Sequence, residues 1–203
     1  YWGFMALTFI TLFAFYWLTR KKTVVLFAGF AWLAFAALIA RTGFFLNTNT
    51  LPPRIALLII PMLIGGLLIG FGKPGIRIIV ELVFLHGLFK AGYVAQTMTY
   101  EGLNYDIVPG ILLPIIGLLV FRLKVLPKGW AVVANFFGIS VLTWTVITAV
   151  LSAPTPYQVF SPEQPTVAIF YFPFVWLPAL VAPLMFWAHF ISLKLLNAKA
   201  EGL

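Results

Sequence analysis

Long apolar runs separated by short connections make up almost the whole chain, and this alternation decides what it can fold into. Seven runs can be marked: Trp2–Thr19, Thr23–Ala40, Arg54–Phe71, Gly75–Ala95, Ile107–Leu123, Trp130–Ser152 and Pro173–Leu196. Each is near the ~20 residues that an α-helix needs to cross a bilayer core. An open strand edge leaves N–H and C=O groups without partners in lipid, so the runs are expected to be helices. Charged residues make up 9% of the 203 residues, against about 25% in a typical soluble domain. So little charge cannot coat a surface that faces water. Seven spans use ~140 residues and leave no room for a separate soluble domain. The expected fold class is therefore all-α, with residues 1–203 forming one integral membrane domain, a polytopic bundle of seven transmembrane helices.

The first run has no basic leader and is followed by Arg20, Lys21 and Lys22, which reads as a first membrane helix rather than a signal peptide. Loop charge sets the orientation. With the N-terminus outside, the cytoplasmic side holds Arg20, Lys21, Lys22, Lys73, Arg77, Arg122, Lys124, Lys128, Lys194 and Lys199. The outer side then holds only Arg41 and Arg54. If the fourth run does not span, later loops change sides and the bias disappears. Short loops in bacterial membrane proteins follow this charge rule, so the N-terminus is expected outside and the C-terminus in the cytoplasm. The expected location is a bacterial inner membrane. The net charge of +8 is accounted for by the same bias, and nucleic acid is not an expected partner. Trp2 and Trp176 are expected at the outer interface, and Trp17 and Trp130 at the inner one.

Proline is unevenly distributed. Pro61, Pro114 and Pro183 fall near the middle of the third, fifth and seventh runs, where each can kink a helix and free a carbonyl. Proline is also simply tolerated in membrane helices, so the kinks alone do not establish a moving pathway. Gly66 and Gly70 form a small-xxx-small pair suited to close helix contact. The connection 153–172 contains four prolines and ends in an apolar stretch. It is expected to be ordered and to lie along the interface or over the outer mouth.

Enzyme signatures are missing. There is no H-E-x-x-H, no G-x-S-x-G and no Cys, so neither a thiolate ligand nor a Cys nucleophile exists. The GFGKPG segment at Gly70–Gly75 has Pro74 where a phosphate-binding loop needs Ser or Thr. A catalytic role is not the expectation.

What remains is polar groups at membrane depth. Counting ~1.5 Å per residue from the inner helix ends, Asn135, Glu81 and His189 fall ~8–10 Å deep on three different helices. Arg77 lies one turn before Glu81. Two readings of Arg77, Glu81, Asn135 and His189 stay open. One is a buried Arg77–Glu81 pair with Asn135 and His189 as interhelical hydrogen-bond glue. The other is a proton or solute site open to the inside. His86 and Lys90 form a second polar face, and Lys90 is expected to snorkel outward to Glu101 or Asp106. Asp106 can cap the fifth helix. Two histidines can in principle ligate haem b, but His86 and His189 differ in depth by ~6 Å, so no cofactor is expected. A retinal Schiff base needs an interior Lys, which the seventh run lacks before Lys194.

Two functions fit these observations. One is a small membrane protein that moves or gates a small solute or protons. The other is a non-catalytic subunit or assembly partner of a larger membrane complex. The lipid bilayer is the expected surrounding in both, with other membrane protein chains as partners in the second.

Overall fold

A computed structural model describes residues 2–18, 23–47, 54, 57 and 84–198. Among these the fold is all helical, with six α-helices and no strand. They are α1 Trp2–Leu18, α2 Thr23–Arg41, α3 His86–Lys90, α4 Ile107–Gly117, α5 Gly129–Ser152 and α6 Ala182–Ala198. Helix α4 continues as a wider π-helical stretch over Leu118–Arg122, and α6 is preceded by another over Leu177–Val181. Among the described residues, two helices are long and apolar enough to cross a membrane, Gly129–Ser152 and Leu177–Asn197. Leu26–Arg41 and Ile107–Arg122 are shorter apolar helices.

The first, second, fifth and sixth apolar runs match helices to within about a residue. Of the third run, only Arg54 and Leu57 belong to the described residues, so Pro61 lies outside them, as do Arg77 and Glu81 of the fourth. The fourth run was expected to stay helical to Ala95, and here the structure corrects the reading. Gly92 takes a left-handed φ of 82°, Gly92 N–H donates to Phe89 O, and Tyr93 N–H donates to Leu88 O. This crossed pair of bonds closes a helix C-terminus around a glycine, so α3 stops at Lys90.

Helix α5 packs between α4 and α6, and α1 packs along α2. The main core joins α1, α2 and the start of the last helical stretch through Phe4, Leu12, Leu33, Phe45, Phe170 and Leu180. Its aromatic contacts include Phe4 against Phe174 at 5.1 Å and Phe9 against Trp176 at 5.6 Å. The connection 153–172 is pinned rather than loose. Thr166 N–H donates to Ser152 O (2.7 Å), and Gln164 Nε2 donates to Phe89 O and Val94 O. Its apolar end enters the core, with Phe170 buried.

A reciprocal pair of indoles ties α2 to the last helical stretch. Pro183 has no N–H, so it cannot serve the carbonyl four residues back, that of Ala179. Trp32 Nε1 donates to that oxygen at 3.0 Å. In return, Trp176 Nε1 donates to Leu33 O, also at 3.0 Å. Trp176 is thus a core residue, 4% exposed, and not the outer-interface ring expected from the sequence. Its neighbours supply what an interface supplies elsewhere, an apolar bed and one acceptor. Trp2 and Trp130 are exposed, as an interfacial ring would be. Trp32→Phe keeps a ring but removes the donor to Ala179 O. It is expected to lower stability by about 1 kcal/mol, read from the unfolding midpoint in detergent, and an unchanged midpoint would show that the bond contributes nothing.

Candidate functional site

Helix α5 buries most of its polar residues along one face and exposes large apolar ones on others, unlike a surface helix in water. Asn135, Gly138, Leu142, Thr145, Thr148 and Ser152 recur at three- and four-residue spacing and are all buried. Val133, Phe136, Trp144 and Ile147 on other faces are exposed. The stripe runs ~25 Å from Asn135 to Ser152, most of the ~30 Å thickness of a bilayer core.

Its end nearer Gly129 is a connected hydrogen-bond group between α5 and α6. Asn135 Nδ2 donates to Ala131 O (2.7 Å) and to Ser192 Oγ (2.9 Å). Both amide hydrogens are therefore used, and Asn135 Oδ1 must act as an acceptor. His189 Nδ1 lies 3.0 Å from that oxygen, so the ring carries a proton on Nδ1. Flipping the amide would set two oxygens against each other at Ala131. The imidazole lies on Gly138, where any Cβ would collide with it. His189 is 4% exposed and Asn135 8%. The structure thus brings together two of the four expected members of the polar layer and adds Ser192. The signal for Ser192 was its position three residues after His189, on the same helix face. Arg77 and Glu81 lie outside the described residues.

The other end, nearer Ser152, holds a second polar group, whose extent was not legible in the sequence. Asn104 Nδ2 donates to Met98 O, while Asn104 Oδ1 accepts from Asp106 N–H and from Thr145 Oγ1. Thr97 and Ser152 hydroxyls meet at 2.7 Å, and Thr166 Oγ1 accepts from Ala95 N–H. Asp106 stands at the N-cap of α4 as expected, but its carboxylate makes no capping bond, since the backbone there is already helical. Between the two polar groups lies an apolar cluster of Leu142, Val181 and Met185.

His86 stacks on Tyr100 with ring centroids 5.0 Å apart, and among the described residues its buried Nδ1 has no hydrogen-bond partner. It sits against the outer loop while His189 sits with Asn135, so the two do not bracket a single haem. Among the described residues, no group of three or more His, Asp or Glu could hold a metal ion. Lys90 is exposed and, among the described residues, pairs with neither Glu101 nor Asp106. The turn at Gly92 ends the helix at Lys90, whose side chain is exposed. Of the kink prolines, Pro183 is buried and Pro114 is exposed, so Pro114 does not face the bundle interior. Among the described residues, two further buried polar atoms, Thr148 Oγ1 on α5 and Trp187 Nε1 on α6, have no hydrogen-bond partner.

Comparison with known proteins finds no family model, curated sequence or solved structure that matches the chain.

Proposed function

We propose that the chain is a seven-helix integral membrane protein of a bacterial inner membrane, N-terminus outside and C-terminus inside, that moves or gates a small solute or protons. The observation that carries this reading is the buried polar face of α5, broken once by Leu142 with Val181 and Met185. Polar groups on both sides of a short apolar constriction suit a path that closes by excluding water. Thr148 Oγ1 and Trp187 Nε1 support it further. A buried donor without a partner is costly, and a passing water or solute would satisfy it. At the end of α5 nearer Gly129, Asn135 Oδ1 holds the His189 proton on Nδ1.

The second reading, a subunit or assembly partner, draws on a different feature. The His189–Asn135–Ser192 group joins two helices in the manner of structural hydrogen-bond glue. Proton flux into liposomes loaded with a pH dye separates the two. For the transport reading, the wild type is expected to conduct and His189→Phe to stop conducting while remaining folded. If His189→Phe lowers only stability, and the wild type copurifies with other membrane chains in a fixed ratio, the subunit reading stands.

Orientation has its own test. The chain contains no Cys, so a single Cys can be placed at Lys124 or Glu163 and labelled with an impermeant reagent. Position 163 is expected to label from outside and position 124 only after permeabilisation. Labelling of position 124 in intact cells would overturn the seven-span arrangement.

A further inference from the structure

The connection between α4 and α5 combines features that loop charge bias alone does not account for. Phe121, Arg122, Leu123, Lys124 and Val125 are all exposed, so apolar and cationic side chains alternate along one strip. Lys128 and Trp130 continue it, both exposed. The strip is held in shape. Val125 N–H donates to Leu119 O (3.0 Å) and Leu123 N–H to Leu118 O (2.9 Å). Lys124 takes a left-handed φ of 57°, which a side-chain-bearing residue seldom adopts unless its surroundings impose it. Leu196 shares a buried cluster with Val120, Ala131 and Ala134, which sets the end of α6, with exposed Lys194, beside the strip. Among the described residues, none of these four cations has an ion-pair partner. The described acidic residues Glu101, Asp106 and Glu163 all belong to the loops at the opposite end of α5.

Resting on the membrane reading above, we infer that Arg122, Lys124 and Lys128 form a binding surface for the phosphate of anionic phospholipid headgroups in the inner leaflet. Phe121, Leu123, Val125 and Trp130 supply the apolar contact that a headgroup–acyl boundary requires. Charge decides the occupant, because unpaired cations beside exposed apolar side chains match an anion attached to an acyl chain. A free anion lacks the acyl chain, and a zwitterionic headgroup sets its own ammonium against these cations.

The test is native mass spectrometry of the full chain in a non-ionic detergent, with phosphatidylcholine and phosphatidylglycerol added in equal amounts. The wild type is expected to retain phosphatidylglycerol preferentially. Arg122→Gln/Lys124→Gln/Lys128→Gln is expected to lose about 100-fold of that binding, at about fivefold per basic residue. The charge-keeping Arg122→Lys/Lys124→Arg/Lys128→Arg retains it, as does Lys90→Gln at the other end. A wild type without headgroup preference, a triple Gln variant that still binds, or an equal loss in Lys90→Gln overturns the proposal. Displacement of the lipid by millimolar inorganic phosphate also overturns it, in favour of a free-anion site. Recovery of the chain in the aqueous phase without detergent defeats the membrane reading itself. Membrane retention with indifference to headgroup charge defeats this proposal alone.

Discussion

Replacing Gly138 by Ala is expected to drive His189 off Asn135 and to destabilise the protein by about 2–4 kcal/mol. The new Cβ would fall on the imidazole, which is 4% exposed. Overpacking a filled site costs about 1–3 kcal/mol, and loss of the bond between His189 Nδ1 and Asn135 Oδ1 adds about 1 kcal/mol. Unfolding in detergent, followed by the intrinsic fluorescence of the tryptophans, measures the change. Gly117→Ala is the control, because a Cβ there meets nothing within 4 Å and Ala favours helix. A Gly138→Ala protein as stable as Gly117→Ala would mean that the ring has another seat and that the inner polar group is loosely built. In the transport reading, Gly138→Ala also reduces proton flux, since it displaces the titratable group without removing it.

Gly102→Ala is expected to have an effect at least as large, about 3 kcal/mol or more, at the opposite end. There a Cβ would meet backbone rather than a side chain, namely the Gln96 carbonyl and Thr97 Cα. Backbone cannot rotate aside as a ring can. The turn containing Gly102 is closed by Gly102 N–H to Thr99 O (2.9 Å) and Leu103 N–H to Thr97 O (3.0 Å). Opening it pulls Asn104 away from Thr145 and from Met98 O. Accelerated amide exchange across residues 96–106, with the α1–α2 pair unaffected, would confirm a local loss of the outer polar group. Gly87→Ala, where nothing lies within 4 Å, should leave exchange unchanged. If Gly102→Ala proves silent, the turn is softer than its hydrogen bonds imply, and the outer group is not a fixed structure.

The two sites differ in how far the sequence exposed them. Asn135 and His189 stand out in one dimension because each interrupts a long apolar run, and helix arithmetic puts them at one depth. Depth alone does not make a contact. That required the crossing of α5 and α6 and the missing side chain at Gly138. Thr97, Thr145, Ser152 and Thr166 gave no such signal, because small hydroxyl residues occur throughout membrane-type helices and usually bond their own backbone. Ser140 and Thr143, exposed on the same helix, do exactly that, to Phe136 O and Ile139 O. Nothing in the composition distinguishes them from Thr145, which reaches Asn104 as well as its own helix.

The sequence by itself determined that the described chain is helical and where most helices begin and end, since long apolar runs, the backbone freedom of Gly and the fixed φ of Pro are local properties. It also determined that Pro183 must leave a carbonyl unserved. Only the tertiary structure decided that Trp32 would serve it, that Trp176 would turn inward to Leu33, and that Lys90, among the described residues, would pair with neither Glu101 nor Asp106. Those outcomes depend on the angle and register at which helices distant in sequence meet. An apolar run fixes that a residue lies in a helix, but not which neighbour its side chain will face.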